Sequence, residues 1–411
     1  MVSADDVRDE ARTWLEEHWD PNRSVVDWRN LLADTGWGTP SWPVDWHGRG
    51  LPPSMDPVVA AEFAAVGAVG VASGISMYLV APTILAHGSD DVKGRFLRPI
   101  LTGEHKWCQL FSEPGSGSDL AGLTTRADRD GDEWIVNGQK VWNSGAHKAA
   151  YGILMARTDW DVPKHRGISY FAFPMDQPGV EVRPLRQMNG HASFNEVFFN
   201  DASVPHDNMI GDQGDGWRVA TTTLMHERSA VATRRPRFPD DGGPLVEAAR
   251  AEAAEYFSTY KWYPQRAGRS NLVRPEAERR GRATDPLVRQ QIAGLEAVRK
   301  TADWTARRAR DARAAGKEPG PEGSLAKLNM SLVARMCNAI HTSIQEADGM
   351  LTGPDTAAGG MVAEVLISTP AMSIAGGTDE IQHNIIGERV LGLPKEPDDS
   401  RDVAYRVVKR N

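Results

Sequence analysis

Cysteine is scarce: Cys108 and Cys337 are the only two in 411 residues. Two cysteines cannot build a disulfide scaffold or a Cys-rich zinc centre, and they suit a reducing compartment. Positive charge is not in excess either. Lys and Arg number 47 against 55 Asp and Glu, a net charge of -8. That excludes a basic protein that holds nucleic acid by bulk charge. No His/Cys/Asp cluster has metal-ligand spacing, so no metal is expected. The chain starts acidic, with no apolar stretch behind it, and no secretory signal is expected. One uncharged run, Phe63 to Ala86, is long enough for the ~20 apolar residues that cross a bilayer. It is built of Ala, Gly and Ser, is broken by Pro82, and has no Lys/Arg cluster flanking it as an anchor would require. It reads as a pair of core helices, with no membrane span, and the expected location is cytoplasmic.

What is present is ordinary for a globular chain: 40% hydrophobic and 25% charged residues. At ~100–200 residues per domain, the length suggests two or three domains. Residues 1–106 read as helical, with Val7, Ala11, Trp14, Leu15 and His18 at helical spacing. Buried helices are expected over Pro57 to Ala65 and Ile75 to His87. Residues 107–214 switch to strands at Thr124 to Ala127, Glu133 to Val136, Lys140 to Trp142, Tyr151 to Arg157, Ile168 to Phe173, Val180 to Pro184 and Asn195 to Phe199. Asp130-Gly131 and Asn137-Gly138 signal tight turns of an antiparallel domain. Residues 215–411 return to helix. Asp285-Pro286 caps a helix whose stripe is Val288, Ile292, Leu295 and Val298. Arg234 to Pro244 and Ala312 to Gly323 read as loops. The order is α, then β, then α.

Three segments carry chemistry. Ser112-Glu113-Pro114-Gly115-Ser116-Gly117-Ser118-Asp119 lies where helix gives way to sheet. Its glycines free backbone amides, and with the Ser hydroxyls these suit a phosphate or a polar ring edge. A plain Gly/Ser loop has the same composition. It is neither a P-loop, which needs Gly-Lys-Ser/Thr, nor a Rossmann glycine turn. Trp142 and Ser144 end an expected strand on one face, where an indole can stack on a planar ligand and a hydroxyl can bond its edge. A core Trp beside a turn Ser explains the pair equally. Gly376-Gly377-Thr378-Asp379-Glu380 runs from a loosened loop into a helix, which simple capping also explains.

In this order and spacing the three segments resemble the acyl-CoA dehydrogenase family over nearly the whole chain. The family pattern TEPGAGSD is matched by Ser112 to Asp119 and NGQKxWIT(N/S) by Asn137 to Ser144. The C-terminal GT(S/A)(E/Q)IQRxIIAERVLG is matched by Gly377 to Gly392. The resemblance implies an α+β fold with an N-terminal helical domain, a middle antiparallel β-barrel-like domain and a C-terminal four-helix bundle. It also implies an FAD enzyme that oxidises the α,β bond of an acyl-CoA. Carried over position by position, Leu110, Phe111, Ser112, Gly117 and Ser118 would hold the flavin ring and pyrophosphate, and Ser118 would also reach substrate. Trp142 would lie against the isoalloxazine and Ser144 would bond near N5. Gln290 and an upstream arginine, Arg279 or Arg280, would reach a neighbouring subunit's FAD. Gln345 and Gly349 match the family's QxxGG turn at the ADP moiety, though Asp348 replaces its first glycine. Thr378 and Glu380 would close over the adenosine.

The family reaction needs a carboxylate to take the α-proton while hydride leaves the β-carbon for flavin N5, with the thioester carbonyl hydrogen-bonded by a ribityl hydroxyl and a backbone amide. Many members carry that base immediately before the C-terminal Gly-Thr; Gly376 stands there and cannot act. Isovaleryl-CoA and long-chain dehydrogenases place it on the first helix of the C-terminal domain in an (L/H)ER context, which His226-Glu227-Arg228 matches. Glu227 is therefore the expected base, with Asp379 as second choice and a surface ion pair as the bland alternative. Arg228 would partner CoA or Glu227, and His226 would pack beside the base. The resemblance further implies electron-transferring flavoprotein or a similar acceptor, and a homotetramer or heterotetramer. Two other readings stay open: a half-site partner subunit of a heteromeric dehydrogenase, and a flavin monooxygenase or oxidase on the same fold.

Overall fold

Serine hydroxyls open the first helices. Ser3 accepts from the Asp6 amide at 3.1 Å and begins α1 (Ala4–His18); Ser24 accepts from Asp27 at 3.0 Å and begins α2 (Val25–Thr35). These caps satisfy amides that the first turn leaves without partners. The computed structural model describes residues 3–228, 236–314, 320, 322–397 and 402–408. It divides into two units, one of Met1–Leu185, Ser193–Thr259 and Asp399–Asn411, the other of Arg186–Ala192 and Tyr260–Asp398.

In the first unit α3 (Asp56–Ala65) buries only Val59 and Phe63, less than its small side chains suggest. The expected helix over Ile75 to His87 is two pieces, a π-helical turn (Ser76–Val80) running into α4 (Ala81–His87). The Ala81 amide bonds Ser76 O, five residues back. Pro82 has no amide to donate just after this point, and wide turns of this kind recur at functional sites. The uncharged run Phe63 to Ala86 is thus split among α3, a loop, the π turn and α4. Then α5 (Asp90–Thr102), capped by Ser89 at 3.2 Å, leads into the sheet.

The strands are β1 (Trp107–Leu110), β2 (Arg126–Asp130), β3 (Glu133–Ser144), β4 (Tyr151–Arg157), β5 (Ile168–Pro174), β6 (Val180–Leu185) and β7 (Phe194–Pro205). They form one curled sheet in the order β1-β4-β2-β3-β7-β6, with β5 also on β4. Most pairings are antiparallel, but β1 runs parallel to β4, and β2 meets β4 in parallel through Arg126 and Arg157. Asp130-Gly131 makes the expected hairpin, with Gly131 at φ 58°. Asn137-Gly138 does not turn. It is a bulge inside continuous β3, because Asn137 Nδ2 and Oδ1 both bond Asp201, each at 2.9 Å. A Cβ on Gly138 would come within 2.6 Å of Thr125 Oγ1.

Two later helices belong to this unit. α6 (Gly216–Arg228) buries Val219 and Ala220 with α4, α5, Phe111, Ile153 and Tyr170 in one core. α7 (Gly243–Ser258) buries Leu245, Val246 and Ala249 among α1, α2 and α3, and its Glu252 accepts from Arg29 at 2.6 Å. Residues 236–242 are the described part of the expected Arg234 to Pro244 loop; Arg234 lies outside the described residues, and Gly243 and Pro244 already belong to α7. Tyr405, near the chain end, returns to this unit with Arg157 stacked 3.6 Å over its ring.

The second unit holds α8 (Tyr263–Arg266), α9 (Ser270–Arg279), α10 (Pro286–Ala314), α11 (Glu322–Gln345), α12 (Met361–Ser368), α13 (Pro370–Ile374) and α14 (Asp379–Arg389). Asp285 Oδ1 accepts from Leu287 N at 2.9 Å and caps α10. Val288 and Leu295 from its stripe meet Cys337, Ile340 and Ile344 of α11. α9, α12, α13 and α14 all pack on α11. The ends of the expected Ala312 to Gly323 loop are helical, since α10 reaches Ala314 and α11 begins at Glu322. The stretch Ala358–Arg389 is long and apolar enough by composition to cross a membrane. It is broken, however, by Gly376 and Gly377 at φ 71° and 84°.

Candidate active site

Past β1 the chain makes a tight turn at Pro114-Gly115, closed by Glu113 and Ser116, whose amides and carbonyls bond reciprocally at 3.0 Å. A buried ion pair holds it. Lys140 Nζ donates to Glu113 Oε1 at 2.8 Å and to Phe111 O at 2.9 Å. Thr124 N, Thr124 Oγ1 and Thr125 N also donate to the carboxylate, at 2.7–2.8 Å. Burial opposes ionisation of Glu113, but Lys140 and these donors outweigh it and keep the carboxyl below the usual range. Leu110 and Phe111 are buried beneath the loop, Ser112 is half-buried, and Gly117 and Ser118 are exposed. Among the described residues the Gly117 and Ser118 amides have no backbone acceptor, and a Cβ on Gly115 or Gly117 would meet open space.

Beside it β3 bulges between Lys140 and Asn143. The bulge puts Trp142 at φ 64°, with its side chain 56% exposed. A non-glycine residue in this region is strained, and such strain concentrates at functional sites. Asn143 anchors the distortion: its Nδ2 donates to Gln109 O at 2.7 Å, and its carbonyl accepts from Asn195 at 2.8 Å. Trp142 and Ser144 face outward while Asn143 is buried, and Phe194 meets the indole edge-on at 5.7 Å.

α6 is fixed by hydroxyls. Thr223 Oγ1 lies 2.9 Å from both Tyr170 OH and Thr83 Oγ1, all buried, and Thr222 bonds His87 at 2.7 Å. One turn past Thr223, half-buried Glu227 accepts from Gln109 Nε2 at 3.4 Å. Burial lowers the His226 pKa. Arg228 is the last described residue of α6, and its side chain lies outside the described residues.

The second unit carries the other candidates. Gln345, at the end of α11, accepts from Arg280 Nε at 2.9 Å and donates to Glu276 Oε2 at 2.8 Å. Arg280 also reaches Asp348 at 2.7 Å. Arg279 instead pairs with Glu276 on its own helix, so Arg280 is the arginine joined to the glutamine turn. Gly349 is buried there, and a Cβ would press to 3.2 Å on Gln345 and Val362. Gln290 is exposed on α10. Thr378 caps α14, accepting from Ile381 at 3.3 Å, and Glu380 is exposed in its first turn. Asp379 is buried and paired with Lys327 at 3.2 Å and Arg335 at 2.6 Å. Burial opposes its ionisation, but Ser331, Arg335, Lys327 and Ser373 outweigh that and hold its carboxyl well below the usual range. A carboxylate so engaged is a poor proton acceptor.

In the first unit the donor set fits a flavin: serine hydroxyls and unused amides beside open space, and an outward indole. No group of three or more His, Cys, Asp or Glu able to hold a metal occurs among the described residues. Gln109, Lys140, Asn143 and Arg280 are the supporting residues that motif reading underrated. Arg280 is named beside Arg279 by the resemblance, and Gln109 is marked as a polar residue between Cys108 and Leu110 in an apolar strand.

Three family models match the chain: acyl-CoA dehydrogenase, N-terminal domain, over residues 2–104; middle domain, over 108–202; and C-terminal domain, over 272–391. The chain is 37% identical to acyl-CoA dehydrogenase IpdE1 of Mycobacterium tuberculosis over 379 residues, covering 90% of this chain and 88% of that one. It is 38% identical to acyl-CoA dehydrogenase FadE34 of the same organism over 369 residues, 89% of this chain, and spans only 46% of that longer protein. Among solved structures, a variant of the Tcur3481-Tcur3483 steroid ACAD superposes with a TM-score of 0.64 at 25% identity, covering 96% of this chain and 99% of that one.

Proposed function

Because the chain belongs to the acyl-CoA dehydrogenase family of FAD-dependent oxidoreductases, we propose that it desaturates a bulky, ring-bearing acyl-CoA with Glu227 as base. Three positions are candidates for the base, and the placement of Glu227 on α6 carries the assignment. Glu227 is half-buried on a helix fixed by the Thr223 hydroxyl cluster. Gly376 has no side chain to accept a proton, and Asp379 is clamped between two cations.

In this reading the Glu227 carboxylate takes the α-proton and becomes the neutral acid. Bound FAD supplies the acceptor for the hydride that leaves the β-carbon. The amides of Gly117 and Ser118 and the hydroxyls of Ser112 and Ser144 hold the flavin, with Leu110 and Phe111 packed beneath the loop and Trp142 against the ring. Ser118 and Arg228 bind substrate; Arg280 and Gln290 reach a neighbouring subunit's FAD, with Gln345, Gly349, Thr378 and Glu380 serving an adenosine diphosphate end. The ring-bearing substrate rests on likeness to a steroid ACAD, and on the π turn, which packs against α6, the helix that carries Glu227. Electrons then pass to electron-transferring flavoprotein or a similar carrier. The enzyme works in the cytoplasm as a tetramer, of this chain alone or with a second chain, since the solved steroid ACAD is named for two.

The test is the visible spectrum of the purified protein before and after anaerobic addition of butyryl-, isovaleryl-, octanoyl-, palmitoyl- and cholyl-CoA. Bleaching of a bound flavin by cholyl-CoA is expected, and Glu227→Gln should keep the flavin while slowing bleaching by about 1000-fold. Bleaching only by straight-chain thioesters overturns the ring-bearing substrate. Bound flavin that no thioester bleaches favours the oxygenase reading, and absence of flavin favours the partner-subunit reading.

A further inference from the structure

Gln109 is out of place by composition. It sits in β1 between Cys108 and Leu110, both fully buried, and the strand's other residue, Trp107, is buried too. An amide half-buried in such a strand is destabilising if its hydrogen bonds go unmade, so its placement needs a partner. The partner is Glu227: Gln109 Nε2 donates to Glu227 Oε2 at 3.4 Å.

The same residue also faces the other way. Its carbonyl accepts from Asn143 Nδ2 at 2.7 Å, and Asn143 stands between Trp142 and Ser144. Asn143 is 1% exposed and is fixed from its far side by Asn195, itself 3% exposed. A continuous set of hydrogen bonds thus runs from β7 through β3 and β1 to the carboxylate on α6. Within it, Gln109 alone touches both the Glu227 side chain and the residue that pins the strained Trp142 bulge.

We propose that Gln109 is a positioning residue: it orients the Glu227 carboxylate through its side chain and ties that carboxylate to the flavin-facing end of β3 through its carbonyl. The proposal rests on the reading of Glu227 as base. A neutral amide suits the task, because it directs one carboxylate oxygen without pairing its charge.

The test compares wild type, Gln109→Leu, Gln109→Asn and Glu227→Gln in stopped-flow anaerobic flavin reduction. Each is titrated with the panel acyl-CoA that bleaches the wild-type flavin fastest. Gln109→Leu removes the donor at similar size, and Gln109→Asn keeps an amide one methylene too short to reach, with little risk to folding. Both are expected to lower the limiting reduction rate by about 10- to 100-fold, with flavin content, flavin spectrum and half-saturating thioester concentration unchanged. A purely structural role would reduce flavin content, and a pocket-lining role would raise half-saturation at constant limiting rate; either result overturns the proposal. If Glu227→Gln is inactive while both Gln109 variants reduce flavin at the wild-type rate, this inference alone fails. If Glu227→Gln still reduces flavin, or no thioester bleaches the wild type, the base or dehydrogenase reading fails and takes this inference with it.

Discussion

Lys140 and Glu113 lie 2.8 Å apart with side chains 0% and 5% exposed, a sealed ion pair directly beneath the Pro114-Gly115 turn. The pair is costly to desolvate, but its partial removal costs more. Lys140→Met would strand a buried carboxylate together with its three Thr124 and Thr125 donors. A loss of about 3–5 kcal/mol is expected, read as a lower urea midpoint at unchanged slope. Adding Glu113→Gln should recover part of it, because a neutral amide needs no counter-charge, although its NH2 cannot accept from the Thr124 or Thr125 donors. A single variant as stable as wild type would show that the pair is not structural.

Asp379 yields a prediction about acid. Its carboxyl is held well below the usual range in the fold, whereas an unfolded Asp titrates near ~3.9. A depressed folded value means the stabilisation is fully present above the unfolded value and is lost as pH falls through the folded one. The unfolding midpoint should therefore decline below about pH 4. Asp379→Asn should be less stable near neutrality and show a shallower acid decline. Thermal unfolding across an acid pH series measures this, and parallel curves for the two proteins would refute it.

The parts that were legible in the sequence are those set by neighbours along the chain. Asp285-Pro286 caps α10 and Asp130-Gly131 turns a hairpin, because the relevant contacts span two or three residues. Asn137-Gly138 carries an equally strong turn signal, yet forms a bulge because Asp201, 64 residues on, holds both ends of the Asn137 amide. The supports of the site are hidden for the same reason. Gln109 meets Glu227 across 118 residues and Arg280 meets Gln345 across 65, and no periodicity links such pairs. Motifs identify the residues that face a ligand; the residues that hold them come only from the fold.

The strain at Trp142 predicts a trade between stability and function. Its φ of 64° costs a side-chain-bearing residue of order 1–3 kcal/mol, and more than half of the indole is exposed. Trp142→Gly removes the strain and gives up little burial. The variant should unfold in urea, free of flavin, at a midpoint equal to or above that of wild type, yet retain less flavin through gel filtration. A less stable apoprotein would mean that the indole is a structural residue rather than a shelf.

Two adjacent arginines provide the sharpest contrast. Arg279 and Arg280 differ by one position, but Arg279 pairs with Glu276 three residues back on its own helix, with its side chain half exposed. Exposed pairs of that kind contribute little. Arg280 is less exposed and holds both Gln345 Oε1 and Asp348 Oδ2, so it fixes the turn that Gly349 completes. Arg280→Ala leaves the Gln345 carbonyl without that charged donor, inside a helix end that is 2% exposed at Gln345. A buried acceptor deprived of a charged partner costs about 1–3 kcal/mol, and the turn should loosen accordingly. If this turn holds the adenosine diphosphate end of FAD, Arg280→Ala should raise the flavin dissociation constant about tenfold or more, while Arg279→Ala leaves it within about twofold of wild type. Fluorescence titration of apoprotein with FAD measures both. Equal effects from the two variants would remove the distinction and return the arginine of this site to either position.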